Sequence, residues 1–185
     1  FIVGYVDEGR ILGADRVREQ DVLVGLASTG LHTNGYSLAR LIVTQRLHLG
    51  PRDLFPGTHS TVADVLLAIH RSYWRPLAPV LDVTHAMAHI TGGGLPGNVN
   101  RALPDTCDAV VDTSTWDVPN QFQVLQRAGD VSREEMFRTF NMGVGMVVIT
   151  DARSADAVIA SARATGVEAW VAGRVVRGSG NVTLE

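Results

Sequence analysis

The chain has 185 residues, 45% of them hydrophobic and 19% charged, a balance that builds one globular domain and excludes a disordered or fibrous chain. Its net charge of -3 comes from 19 acidic and 16 basic residues, and every basic residue is Arg; the lack of lysine excludes a Schiff-base lysine, a lysine base and the phosphate-loop lysine, and the absence of a clustered Arg run argues against a nucleic-acid stripe. One cysteine, Cys107, forms no internal disulfide, and no apolar run approaches the ~18 residues that cross a bilayer, so a cytosolic protein without membrane contact is expected.

The first residue is Phe1, with no initiator Met and no basic leader, so the chain reads as a piece of a longer one. Residues 1–6 read as a strand, residues 7–10 as a turn and residues 14–21 as a charged connector. The run from Val22 to Ala27 is apolar throughout, the pattern of a strand buried on both faces. The polar loop from Ser28 to Gly35 opens into a helix with Leu38, Leu41 and Ile42 on one face. A second helix starts at Thr61 with Asp64 three residues on, and its apolar face takes Val62, Val65, Leu66, Ile69 and Tyr73 before Pro76 and Pro79 end it.

Residues 85–91 alternate as a strand that enters Gly92-Gly93-Gly94, and a short helix follows from Leu95 to Leu103, closed by Pro104. A strand is expected over 108–112, then a helix from Pro119 to Ala128 stopped by Gly129. Ser132 and Glu135 form a capping box, with Val131 and Met136 in the staple positions. After residues 141–145 come a strand over 146–149, a helix with Ala155, Val158, Ile159 and Ala162 on one face ended at Gly166, and two strands, 167–176 and 182–184, that read as a closing pair across a tight turn. This order of strand pairs and crossover helices predicts an α+β fold, a mixed sheet covered by helices.

Three glycine-bearing segments carry the functional interest: Ser28 to Gly35, Thr91 to Gly94, and Asn141 to Gly145. Glycine lets backbone N–H groups approach an anion, and a helix N-terminus adds unpaired donors, so the first two are candidate phosphate cradles, with Ser28, Thr29 and Thr91 as hydroxyl donors. The competing reading is that the glycines serve turns and that Ser, Thr and Asn cap helices. Gly143 and Gly145 lack the third glycine of a dinucleotide fingerprint and open a strand rather than a helix. Around Ser28 the spacing is one residue off a nucleophile elbow. His85 and His89 stand four residues apart on a strand, roughly 13 Å, too far for one metal, so no metal site is expected. His32, inside its loop, and His89, just before Thr91, are the histidines placed for a ligand; His85 reads as a half-buried strand residue, and His48, His59 and His70 read as surface residues.

Three runs in order, Gly25 to Ser37 (GLASTGLHTNGYS), Ala88 to Gly94 (AHITGGG) and Thr139 to Met146 (TFNMGVGM), resemble the C-terminal half of the aminoimidazole ribonucleotide (AIR) synthetase family, the phosphoribosylformylglycinamidine cyclo-ligases. The resemblance implies a three-layer α/β/α domain over residues 21–185, with residues 1–20 as the end of an inter-domain strand and its connector. It also implies a reaction in which ATP activates the formyl oxygen of formylglycinamidine ribonucleotide as a phosphate ester, after which an internal nitrogen closes the imidazole ring and expels phosphate. That chemistry is mostly positioning and electrostatics, which backbone donors and Arg can supply without lysine. On this resemblance His32 and Asn34 are the candidate catalytic residues, and Ser28, Thr29, Gly30, His89, Thr91, Gly92, Gly93, Gly94, Asn141, Gly143 and Gly145 bind substrate or phosphate. The ATP and Mg2+ ligands are expected in an N-terminal half, and the full-length parent as a homodimer acting on a small ribonucleotide. Where the family commonly has Glu-Asn-Ile-Pro-Arg after the triple glycine, residues 97–101 read Gly-Asn-Val-Asn-Arg. Another ATP-using kinase or synthetase of the same superfamily, or a domain that only binds a phosphate ligand, stays open as an alternative.

Overall fold

A computed structural model describes residues 3–185 of the chain. Its frame is a six-stranded sheet of β1 (Val22–Ala27), β2 (Thr84–His89), β3 (Cys107–Val111), β4 (Val144–Thr150), β5 (Ala169–Arg177) and β6 (Val182–Leu184), in the spatial order β2-β4-β1-β5-β3-β6. The first four neighbouring pairs are antiparallel and the last, β3 with β6, is parallel, so the sheet is mixed as expected. The uninterrupted apolar run of β1 has the consequence it should: β1 is central, between β4 and β5, and its side chains alternate between two cores. Leu23 enters one core and Val24 and Leu26 the other.

Helices cover both faces. On one side lie α1 (Tyr36–Leu41), α2 (Val62–Leu66), α4 (Gly94–Val99), α5 (Asn120–Gly129) and α6 (Arg133–Thr139), whose buried residues join the larger core; on the other, α3 (Trp74–Leu77) and α7 (Ala155–Ala164) close the smaller one. The result is an α/β/α sandwich. Fully buried Phe122 and Phe140 meet at 5.8 Å between ring centroids in the larger core, and Ala155, Val158 and Ala162 of α7 face the sheet as their spacing predicts.

Several local expectations change. The described part of the first expected strand, Val3 to Val6, is exposed and irregular; Phe1 and Ile2 lie outside the described residues. In α1 the buried face is Ala39, continued by Ile42 and Val43 in a π turn, while Leu41 points to solvent. The Thr61 capping box forms in full, yet α2 stops at Leu66 instead of running to Tyr73. The chain there finds other partners: the Leu66 carbonyl accepts from Tyr36 Oη at 2.5 Å and the Ile69 carbonyl from Thr29 Oγ1 at 2.6 Å, so residues 68–73 cross the end of the sheet as an irregular segment and Pro76 lies inside the short α3.

At the end of α5 the left-handed residue is Asp130, at φ 50, not Gly129. Gly129 is glycine for space: a Cβ there would come within 2.5 Å of Ile42 Cδ1. Of the Ser132 box only one arm forms, the Glu135 N–H to Ser132 Oγ at 3.2 Å, because the Glu135 carboxylate turns to Thr139 at 2.9 Å and Arg138 at 2.9 Å. The expected closing pair is also redirected. β5 has neighbours on both edges, so β6 cannot join it and extends the sheet beyond β3; the Asp108 carboxylate holds the connecting loop there by accepting from the Ser179 and Asn181 N–H groups, each at 2.7 Å.

Candidate functional site

β1 and β2 both run antiparallel to β4, so the C-terminal ends of the first two and the N-terminal end of the third share one edge of the sheet. The register pairs Ala27 with Val144 and His89 with Met146. The three glycine-bearing segments, far apart in sequence, therefore meet.

Asn141 is the tie between them. Its side chain is buried, and its Oδ1 accepts from Ser28 Oγ at 3.0 Å and from the Gly143 N–H at 2.9 Å while Nδ2 donates to the Gly30 carbonyl at 2.8 Å. The Ser28 N–H adds a bond to the Gly143 carbonyl at 2.8 Å. Three of the expected binding residues, Ser28, Gly30 and Gly143, are thus first of all bound to Asn141. The triple-glycine loop has its own tie in Asn98, which sequence reasoning did not select. Asn98 Nδ2 donates to the Gly94 carbonyl at 2.7 Å and its Oδ1 accepts from Thr91 Oγ1 at 3.0 Å; the available signal was a lone amide among the apolar residues of α4. Gly92 faces Asn34, whose Oδ1 would lie 3.5 Å from a Cβ at Gly92. Gly93 has φ 97, and Gly94, at φ 60, abuts the Phe137 carbonyl of α6, so Gly94 is a packing glycine.

His32 and His89 are brought together by a residue read from the sequence as surface. His70, carried over the sheet edge by the irregular segment after α2, stacks on His32 with centroids 3.9 Å apart at 13° and places its Nε2 3.1 Å from Nε2 of His89. His32 is buried at φ 57, and its Nε2 accepts from the Thr29 N–H at 3.2 Å. Nε2 is then the unprotonated nitrogen, and Nδ1 is buried with no partner among the described residues. Burial, followed by the neighbouring His70, His89 and Arg71, pulls the His32 pKa down to about 4; burial and His70 lower that of His89. Gly145 makes room for this cluster, since a Cβ there would collide with Tyr73 Oη and lie 2.6 Å from His32 Cε1. Tyr73 in turn donates to the Ala27 carbonyl at 2.9 Å, and its burial pushes the phenol up. His85 is elsewhere, at the opposite end of β2, against Asp21 at 2.7 Å.

Two hollows flank the tied loops. One, of about 360 Å³, is bounded by His70, Arg71, Tyr73, Trp74, Met87 and His89; the other, of about 400 Å³, by Ser28, Gly143, Arg163 and Trp170 with the carboxylates of Asp117 and Glu168, which lie outside the tied loops. The segments 28–35, 89–94 and 141–145 offer imidazole, hydroxyl, amide and glycine but no carboxylate. They can position a polar or anionic ligand. They do not supply the oxygen-rich shell that Mg2+ takes.

Comparison with known proteins agrees with the geometry. The chain is 42% identical over 179 residues to the phosphoribosylformylglycinamidine cyclo-ligase of Geotalea daltonii, covering 96% of this chain and 51% of that protein. It is 46% identical over 189 residues to the enzyme of the same name from Anaeromyxobacter dehalogenans strain 2CP-C, covering 100% and 54%. The chain therefore spans about half the length of these relatives. Among solved structures, thiamine-monophosphate kinase from Stenotrophomonas maltophilia superposes with a TM-score of 0.62 at 17% identity over 97% of this chain and 54% of that one. Hydrogenase maturation protein HypE in complex with ATP does so with 0.62 at 17% identity over 94% and 50%, a likeness of fold. With residues 18–185 matching the family described as AIR synthase related protein, C-terminal domain, the chain belongs to that family.

Proposed function

We propose that this domain is the C-terminal, substrate-holding half of an ATP-dependent phosphoribosylformylglycinamidine cyclo-ligase of purine biosynthesis. The observation that carries the reading is the convergence of three loops at one sheet edge, with Asn141 tied to Ser28, Gly30 and Gly143. A ring closure within one molecule needs its two reacting parts held in attack geometry more than it needs a strong protein nucleophile, and a rigid, neutral, donor-rich edge suits that task. Asn34, His89, Gly92 and Gly93 face the ligand in this reading, while the Thr29 and Thr91 hydroxyls, expected as ligand donors, donate instead to the Ile69 carbonyl and Asn98 Oδ1 and hold their loops. His32, buried and short of its usual proton affinity, acts by holding the Ser28 to Gly35 loop, and Asn141 and Asn98 do the same for their segments.

ATP supplies the phosphoryl group that turns the formyl oxygen into a leaving group; the ATP complex of the similarly folded HypE supports nucleotide use by the whole protein. The Mg2+ that accompanies ATP is assigned to a partner half, because the tied loops carry no carboxylate. A homodimeric parent in the cytosol, acting on a small ribonucleotide, completes the proposal; among the described residues no helix is long and apolar enough to cross a membrane.

The test compares this chain with a full-length parent. The parent should form aminoimidazole ribonucleotide only with ATP, and this chain alone should bind a phosphoribosyl ligand weakly without turnover. Asn34→Ala in the parent should lower turnover with the fold intact. Turnover by these 185 residues alone, or a parent that phosphorylates another small acceptor and leaves formylglycinamidine ribonucleotide untouched, would overturn the reading.

A further inference from the structure

The three imidazoles at the loop edge have a geometry that the ring-closure chemistry does not use. One nitrogen from each of His32, His70 and His89 lies within 4.8 Å of the others. The His70 Nε2 to His89 Nε2 separation is 3.1 Å; two nitrogens bound to one tetrahedral Zn2+ at 2.0–2.1 Å stand about 3.3 Å apart, so the pair is already spaced as one edge of such a site. In the metal-free protein that edge is bridged by a single proton, since one imidazole must donate to the other.

The third ring brings an unsolved problem of its own. His32 Nδ1 is buried without a hydrogen-bond partner among the described residues, and a buried polar nitrogen left unpaired carries the full cost of its lost hydration. The three rings come from three separate segments, the Ser28 to Gly35 loop, the irregular stretch after α2 and the end of β2, so local sequence does not account for their meeting. His70 is half-buried in a segment without helix or strand; because its ring stacks on His32 at 13°, it must tilt about its Nε2 end, which stays beside His89, for the lone pairs to meet at a shared centre.

We propose that His32, His70 and His89 form a binding site for a borderline divalent transition-metal ion, Zn2+ above the others. Three neutral imidazoles are a ligand set that such ions take readily and that Mg2+ and Ca2+ do not. On binding, the proton shared between His70 and His89 moves to Nδ1 of the ring that carries it, so both rings ligate as neutral imidazoles and no net proton is released. Three protein ligands leave a fourth position, and here it opens on the hollow lined by Tyr73, Trp74 and Met87. Arg71 borders the same hollow, so an anionic oxygen fits that position better than a second cation. The inference stands on these residues alone and does not depend on the cyclo-ligase reading.

The test is direct titration of the tag-free chain with Zn2+ by calorimetry and with Co2+ by visible absorption. One equivalent should bind per chain, with the intense absorption of four-coordinate Co2+ and with displacement of Co2+ by Zn2+. His70→Ala and His89→Ala, at the two less buried positions, should each weaken binding by about 100-fold or more, on the scale that losing even a supporting group costs a metal site; His59→Ala, on an exposed residue away from the cluster, should change nothing. Should His70→Ala not fold, His70→Gln replaces it, and the wild-type Co2+ spectrum stands independently of any variant. Absence of saturable one-to-one binding, a six-coordinate Co2+ spectrum, or unchanged affinity in the His70 and His89 variants would each overturn the site and leave a proton-sharing histidine pair.

Discussion

The two ends of β2 place the same residue type in opposite surroundings. At the start of the strand His85 meets a carboxylate: Asp21, buried at the entry to β1, lies 2.7 Å from its Nδ1 and also accepts the Arg18 N–H at 2.8 Å. A carboxylate only accepts, so that nitrogen carries the proton and the contact is complete. At the end of the strand, four residues on, His89 meets two further imidazoles and an arginine nearby, with no carboxylate in the surrounding loops. One end is a satisfied structural contact. The other gathers lone pairs around a hollow and leaves His32 Nδ1 unpaired, and groups assembled at such a cost are where function is sought.

The comparison breaks most severely at Gly145. A methyl group there would press on Tyr73 Oη and on His32, which sit 6.2 Å apart by ring centroids, and the Gly145 carbonyl accepts the Ile90 N–H at 3.0 Å. Gly145→Ala should destabilise the domain by about 3 kcal/mol, read as a fall in denaturation midpoint at unchanged slope, and should shift the ring resonances of His32 and His70 while leaving those of His85 in place. Equal disturbance at both ends would show that the histidine edge is not an independent unit.

A smaller effect is expected from the structural end. Asp21→Ala removes the acceptor of two bonds in a buried position and should cost about 2 kcal/mol, again by denaturation midpoint, with the His32, His70 and His89 resonances unmoved. If the three loop-edge histidines respond to Asp21→Ala, the two ends are coupled through β2 and the contrast drawn above fails.

What could be read from the sequence divides along the same line. Signals carried by neighbours in the chain were legible: the apolar run of β1, the Thr61 capping box, the buried stripe of α7, and the loops themselves, which their glycines announce. Signals carried by distant partners were not. α2 ends at Leu66, where Tyr36 binds the carbonyl of its last residue and Thr29 the Ile69 carbonyl beyond it, and no periodicity in residues 61–73 contains that fact, so His70 reads as surface. β6 chose β3 because the Asp108 carboxylate holds its approach loop, which a turn pattern at residues 178–180 cannot reveal. Asn141 reads from the sequence as a ligand-binding residue and in the fold also ties the loops together, while nothing in the sequence marks Asn98 for the same task in the triple-glycine loop. The glycine loops are visible in the chain, but the bonds of Asn141 to Ser28 and Gly30 join residues that only the folded sheet makes neighbours.

The mildest prediction separates the ends by acid. His32 has its proton affinity lowered in the folded state to about 4, against an ordinary value of 6.5, first by burial and then by His70, His89 and Arg71. The unfolded chain therefore takes up a proton at this residue before the folded one does, and stability falls as pH drops from 6.5 toward 4. For one such group the loss between about pH 7.5 and 5.5 is about 1 kcal/mol, and His89, lowered in the same direction, adds to it. The exposed carboxylates held low by hydrogen bonds, Asp64, Asp108 and Asp151 among them, lose their contribution only below the ordinary carboxylate range, so they do not blur this window. Denaturant titrations across it should show the slope in the wild-type chain and a flatter response in His32→Asn, a residue that tolerates the left-handed backbone at φ 57. A wild-type stability that is level from pH 7.5 to 5.5 would mean that the histidine edge accommodates a proton in the folded state, and the cluster would then be a cation rather than a set of neutral imidazoles.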